Sequence, residues 1–429
     1  MKHWIRGGLA ALALAGVLCA QSGRSYGPGR IWWEAGQGGL LPWEEAYDNP
    51  DGLVTVLNRN GAVHTEDHPF FEPLGVNGRA CVTCHQPANA MSVSTASLRE
   101  RWRETQGKDP VFAAVDGSNC PDLPQAAIAS HSLLLDRGLF RIFLPWPPMV
   151  KPEFRIEVVR DPTGCNRGGV ISVYRRPRIA ANLDAVVAGP EGPAFMADGR
   201  EPSLRTQAIN AAMGHEEART QPSDEQLRRI VEFESQIYTA QSADIRGGLL
   251  NEKEGPAILG SDNLAAGKAG GLGSAMRAAT LFDVWRQPPV AGGLGLQLEF
   301  RASVARGSDV FFTRCASCHT AGTTRWMDIG TTNRPSARES AELPLFRVTC
   351  ESGREIYSQD PGRALISGKC ADIGAIVVPQ LRGLAARAPY FSNGSATSLR
   401  EVVEFYEGRF GITYTEREKQ DLLNFLRVL

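Results

Sequence analysis

Charge of either sign is not in excess. The 429-residue chain carries 46 Lys and Arg against 47 Asp and Glu, a formal net charge of -1. So even a balance gives no whole-molecule attraction to nucleic acid or to an acidic membrane surface. Long apolar runs are missing too. Beyond the first 20 residues no stretch approaches the roughly 18 uninterrupted apolar residues of a membrane helix, so no integral membrane span is expected. The run that does exist, Leu9 to Leu18 behind Lys2 and Arg6, is short and ends in Leu18-Cys19-Ala20. It reads as a secretory signal peptide over residues 1–20, which places the mature protein in the periplasm or outside the cell. Lipid anchoring at Cys19 is the alternative, disfavoured by bulky Leu18 before it. Histidine is scarce, with 7 in the chain and none after His319. Any chemistry that needs imidazole in the last quarter of the chain must rely on that one residue.

Cysteine is what the chain does have, 9 in all. Cys19 leaves with the signal. Four fall in a repeated pattern, "CVTCH" at 81–85 and "CASCH" at 315–319. The remaining four are expected to form disulfides in an exported protein, Cys120 with Cys165 and Cys350 with Cys370, the alternative being buried free thiols. Cys-x-x-Cys-His is the attachment signature of c-type haem. The order is chemically required: two thiols about one helical turn apart suit two vinyl groups of one porphyrin, and the next residue supplies the proximal iron ligand. A redox disulfide or a four-cysteine zinc site explains the cysteines but not a histidine after both copies. The expected cofactors are two covalently attached c-type haems, held by Cys81, Cys84 and His85 and by Cys315, Cys318 and His319.

The two halves repeat beyond the motif. "DGREPSLR" at 198–205 lies on "NGSATSLR" at 393–400 without a gap, and "PSDEQLRRIVEFESQI" from Pro222 matches "YTEREKQDLLNFLRVL" from Tyr414. Both closing segments carry apolar residues at helical spacing, with Ser223 and Thr415 as N-caps. The expected fold is mainly α: two cytochrome c-like helical lobes, one haem each, at 21–244 and 276–429, joined by a Gly/Ala-rich linker region at 245–275. The first lobe is longer between its motif and the Gly199 turn. Alternating apolar residues on either side of "DPTGCNRGG" read as a β-hairpin inserted there, with Cys165 in its turn. Trp102, Trp146 and Trp285 are read as core rather than as electron relays. Met91, Met196 and Met213 are read as packing residues, and His64 and His68 as solvated.

With its paired CxxCH lobes and "PQLRGLAARAPYFSNGSATSLREVVEFY" in the second, the chain resembles the bacterial di-haem cytochrome c peroxidase/MauG superfamily. The first lobe, with "NGRACVTCHQPANAMS" and its insertion, more distantly resembles rubber-oxygenase-type di-haem proteins. The superfamily pattern has a histidine before the Asn- or Asp-Gly turn, where this chain has Ser392. The resemblance implies peroxide reduction, formation of modified amino-acid cofactors in partner proteins, or oxygen-dependent cleavage of polyisoprene. Fold alone does not choose among them. It also implies a sixth ligand for the second iron at Tyr406, a position that carries methionine in the peroxidases and tyrosine in MauG-like proteins. Met327 is the other candidate there, and a packed aromatic is the plain reading of Tyr406. For the first iron the candidates are His215 and His131; Ala211, which aligns with Tyr406, cannot coordinate. The expected function is a peroxidase-like oxidoreductase that passes electrons from the second haem to an oxidant-binding first haem. Its expected partners are a small electron-donor protein, a cytochrome c or a cupredoxin, and peroxide or oxygen. A di-haem electron carrier without substrate chemistry and an oxygenase acting on an organic substrate are the alternatives. No residue is singled out for acid–base catalysis.

Overall fold

The computed structural model describes residues 31–187, 193–267, 280–286, 295–319, 326–328 and 339–429. The signal-peptide reading and residues 268–275 of the expected linker lie outside these. The mainly α expectation is overturned: helices make up 35% of the chain and strands 19%, so the class is mixed α and β.

The largest sheet has four strands. Glu44–Asn49 and Gly52–Asn58 form an antiparallel hairpin, and Gly52–Asn58 then pairs with Ile237–Asp244, which pairs with Gly248–Leu249. Val54, Val56, Ile237 and Ala240 are buried in it. The sheet therefore closes over the helix that precedes it, Asp224–Gln236. Residues 245–267 are packed rather than loose, since Leu250, Ile258 and Leu259 are fully buried against the core of the C-terminal half.

The inserted hairpin is also corrected. Both strands exist, at Phe154–Arg160 and Val170–Arg175, but they do not pair with each other. Val170–Arg175 pairs with Phe140–Pro145, and Phe154–Arg160 pairs with Leu345–Cys350 from the other half of the chain. Alternation marks a strand but does not name its partner. Here the nine residues between them do not make a tight turn, and Cys165 within them is bonded to Cys120. Cys350–Cys370 forms as well.

The internal repeat is borne out in detail. Gly199 (φ 61°) and Gly394 (φ 62°) both take the left-handed conformation that a glycine accepts at no cost. An antiparallel bridge flanks each turn, Phe195 with Glu201 and Tyr390 with Ala396. Ser203 and Ser398 then cap the equivalent helices Leu204–His215 and Leu399–Phe410. The closing helices Asp224–Gln236 and Glu416–Arg427 start on Ser223 and Thr415, each in a capping box. In the second half the closing helix crosses the long helix Gly295–Arg314 at Gly307, where a side chain would overlap the Asp421 carbonyl.

Candidate functional site

Each motif is one tight turn. His85 N–H donates to the Cys81 carbonyl at 3.1 Å, and His319 N–H to the Cys315 carbonyl at 3.0 Å. In the second half the turn continues the Gly295–Arg314 helix, with Cys315 N–H donating to the Phe311 carbonyl at 2.7 Å. The turn puts both thiols and the imidazole of each motif on one wall. All four motif cysteines are free, whereas Cys120, Cys165, Cys350 and Cys370 are paired.

Both motifs open onto the same cavity, about 1010 Å³ in volume. Its donor set fits c-type haem. Burial holds the imidazoles of His85 and His319 neutral, each at about 4. A neutral ring is what an iron takes. The His85 Nδ1 lies 3.1 Å from the Met91 carbonyl, which orients the ring. The His319 Nδ1 has no partner among the described residues. Burial also pushes the Cys84 thiol up to about 12 and Cys315 to about 11. No group of three or more His, Cys, Asp or Glu converges as a metal cage among the described residues.

Four arginines strengthen the fit. Arg176, Arg178, Arg382 and Arg387 line the cavity. Desolvation works against their charge, drawing Arg176 down to about 9 and the other three to about 10, yet a guanidinium keeps its proton in proteins. They donate to carbonyls: Arg176 to Val93 at 2.7 Å, Arg178 to Val377 at 2.8 Å, Arg382 to Ile258 at 2.7 Å and Arg387 to Gln380 at 2.7 Å. Among the described residues none of the four has an ion-pair partner. Enclosed cations without counter-charge are costly. Two haems would bring four propionate carboxylates to this wall.

Matching aromatic groups back the two imidazoles. Phe70 packs on Phe233 (4.6 Å between ring centroids) and on His85 (6.5 Å); Phe311 packs on Phe425 (5.1 Å) and on His319 (6.3 Å). Tyr406 stands 6.3 Å from His319, edge to face at 87°, and both line the cavity. Burial raises the Tyr406 phenol well above its ordinary range, and no hydrogen bond engages its hydroxyl among the described residues. Ala211 lines the cavity at the equivalent place in the first half.

The other candidates divide. His215 lines the cavity, with its Nδ1 2.5 Å from the Asp116 carboxylate. Asp116 is buried and also pairs with fully buried Arg79. His131 is buried away from the cavity, with Nδ1 2.7 Å from the Gly117 carbonyl and Nε2 3.0 Å from that of Gln125, so neither nitrogen is free for iron. Met327 lies on the strand Trp326–Asp328, paired with Ile376; its side chain is outside the described residues. His64 is exposed as expected, but His68 is not solvated. Its ring packs edge-on against Phe71 and Phe233, and burial lowers it to about 4.

Two carboxyls at the first motif escaped the sequence reading. Glu216 lies 3.6 Å from the Cys81 sulfur and accepts from Leu74 N–H at 3.0 Å. Burial raises it to about 7. Glu234 lines the cavity from the closing helix, 4% exposed, and its Oε2 has no hydrogen-bond partner. The signal was legible: Glu234 continues the apolar face of Leu227 and Ile230.

No family model matches the chain. The chain is 30% identical over 139 residues to cytochrome-c peroxidase IdrP1 of Pseudomonas sp. (strain SCT), covering 27% of this chain and 36% of that protein. It is 27% identical over 182 residues to IdrP1 of Denitromonas iodatirespirans, covering 36% and 48%. The chain thus spans about a third to a half of the length of these curated relatives. Among solved structures it is similar to a MauG-like protein associated with microbial copper homeostasis, at 17% identity and a TM-score of 0.34 over 77% of this chain and 88% of that one. The two Cys-x-x-Cys-His motifs face one cavity, an arrangement that suits haem. The sequence relatives that the chain matches over part of their length are named cytochrome-c peroxidases.

Proposed function

We propose that this chain is an exported di-haem c-type cytochrome that works as a peroxidase-like oxidoreductase. The observation that carries this reading is the single cavity shared by both Cys-x-x-Cys-His motifs, with four unpaired arginines in its wall. Cys81 and Cys84 hold one haem and Cys315 and Cys318 the other, with His85 and His319 as proximal ligands. Arg176, Arg178, Arg382 and Arg387 receive the propionates. Tyr406, 6.3 Å from His319, would supply a further ligand to the iron of the second haem. Ala211 leaves the corresponding side of the first centre open, which favours an enzyme over a pure electron carrier. A haem iron with an open position supplies peroxide reduction, which consumes two electrons and two protons for each peroxide converted to two waters. His215, oriented through Nδ1 by Asp116, lines the cavity near the first motif. A small donor protein, a cytochrome c or a cupredoxin, delivers electrons to the second centre.

The test combines spectroscopy with turnover. Ferric EPR should show one high-spin and one low-spin centre, and a reduced donor should be consumed with peroxide. Two low-spin centres would favour an electron carrier. Oxygen uptake with an organic substrate, without peroxide turnover, would favour an oxygenase.

A further inference from the structure

Glu234 occupies a place that the repeat makes informative. Aligning the closing helices on their N-caps, Ser223 with Thr415, sets Ile230 on Leu422, Phe233 on Phe425 and Glu234 on Leu426. The structure honours that alignment: Ile230, Glu234, Leu422 and Leu426 all line the cavity, and Phe233 and Phe425 pack on Phe70 and Phe311, the rings that touch the two imidazoles. One centre is therefore walled by leucine and the other by a carboxyl. A carboxyl buried with an unbonded oxygen carries a desolvation penalty that a leucine there would not. No packing need accounts for it.

We propose that Glu234 is the proton carrier of the first centre: it takes up a proton when that centre is reduced and releases it when the centre is reoxidised. This rests on the haem reading above. The electron comes from the donor and the proton from solvent, so each one-electron reduction adds one positive and one negative charge and leaves the wall of the cavity neutral. A proton held at this edge is available for the two-proton chemistry of peroxide reduction.

The surroundings leave Glu234 as the group free to do this. Arg79 and His215 are both engaged with Asp116. Tyr238, four residues after Glu234 and in the following strand, donates to Asp184 at 2.7 Å. Glu216 accepts from Leu74 N–H. Burial keeps His68 neutral. Arg178 is committed to the Val377 and Val378 carbonyls. Burial alone, with no cation opposing it, raises Glu234 to about 8, so it is poised to bind and lose a proton near neutral pH.

The experiment is a redox titration of the full-length holoprotein from about pH 6 to about pH 9, in wild type, Glu234→Gln and Glu234→Leu. In the wild type the reduction equilibrium of the first centre should fall up to tenfold per pH unit, about 59 mV for one electron, with the second centre nearly flat. Both variants should flatten the first. Redox-difference infrared spectra should show a protonated-carboxyl band that Glu234→Gln removes. If haem is present and the slope or the band survives both variants, this proposal is overturned while the haem reading stands. If intact mass shows no haem, both fall. If Glu234→Leu fails to fold, the infrared band in Glu234→Gln decides.

Discussion

Tyr406 presents its ring edge to His319, while the matching place in the first half of the chain holds Ala211. A phenolate on an iron lowers its potential, so Tyr406→Phe should raise the potential and change the electronic spectrum of the second centre and leave the first nearly unchanged. Spectra of both centres in one titration check this, and a change confined to the first centre would contradict it. Glu234 supplies a second test at this scale. Its folded-state value of about 8 lies above the ordinary carboxyl value of 4.5, so the folded protein holds a proton that the unfolded chain gives up between those limits. Stability should fall as pH rises through that window, by an amount on the order of a few kcal/mol. Glu234→Gln should lose that slope: near wild type at pH about 4, more stable above pH about 8, as read by denaturant midpoints. The sequence signalled this residue, because a charged side chain on an otherwise apolar helix face is unusual, but only the cavity shows that no cation answers it. The four arginines gave no such signal, since nothing in their spacing says that carboxylates are absent around them.

Helices were the readable elements and sheet pairings were not. The caps at Ser223 and Thr415 and the turns at Gly199 and Gly394 are local chemistry, and the structure keeps them. Strand partners are chosen across the whole chain. The alternation at Phe154–Arg160 is real, but its partner, Leu345–Cys350, lies far downstream. The hairpin of Glu44–Asn49 with Gly52–Asn58 went unread although Pro50-Asp51-Gly52 marks its turn. Cys350 ends the strand that ties the two halves together, and its bridge to Cys370 closes a loop with a sequence separation of 20; Cys120–Cys165 closes one of 45. In the chain-entropy picture these loops contribute roughly 3–4 kcal/mol each. Cys350→Ser should lower the denaturant midpoint accordingly, and unreduced wild-type protein should show no alkylation at these four cysteines. Free thiols at any of them would refute the pairing.

The whole molecule joins two repeats through shared strands and a shared cavity. The expectation of separate helical lobes missed what lies between the repeats: Phe154–Arg160 runs beside Leu345–Cys350, and Val377 N–H donates to the Ala197 carbonyl at 2.9 Å across the repeat. Such contacts hold both motif walls to one cavity, which suits electron passage between two centres. Among the described residues no helix is long and apolar enough to cross a membrane. The account stands or falls on the cofactors that fill the cavity. Intact mass after acid extraction tests this most directly, because thioether-linked haem survives acid and non-covalent haem does not. The account predicts a mass excess of two haem groups over the polypeptide, and an excess of one or none would contradict it.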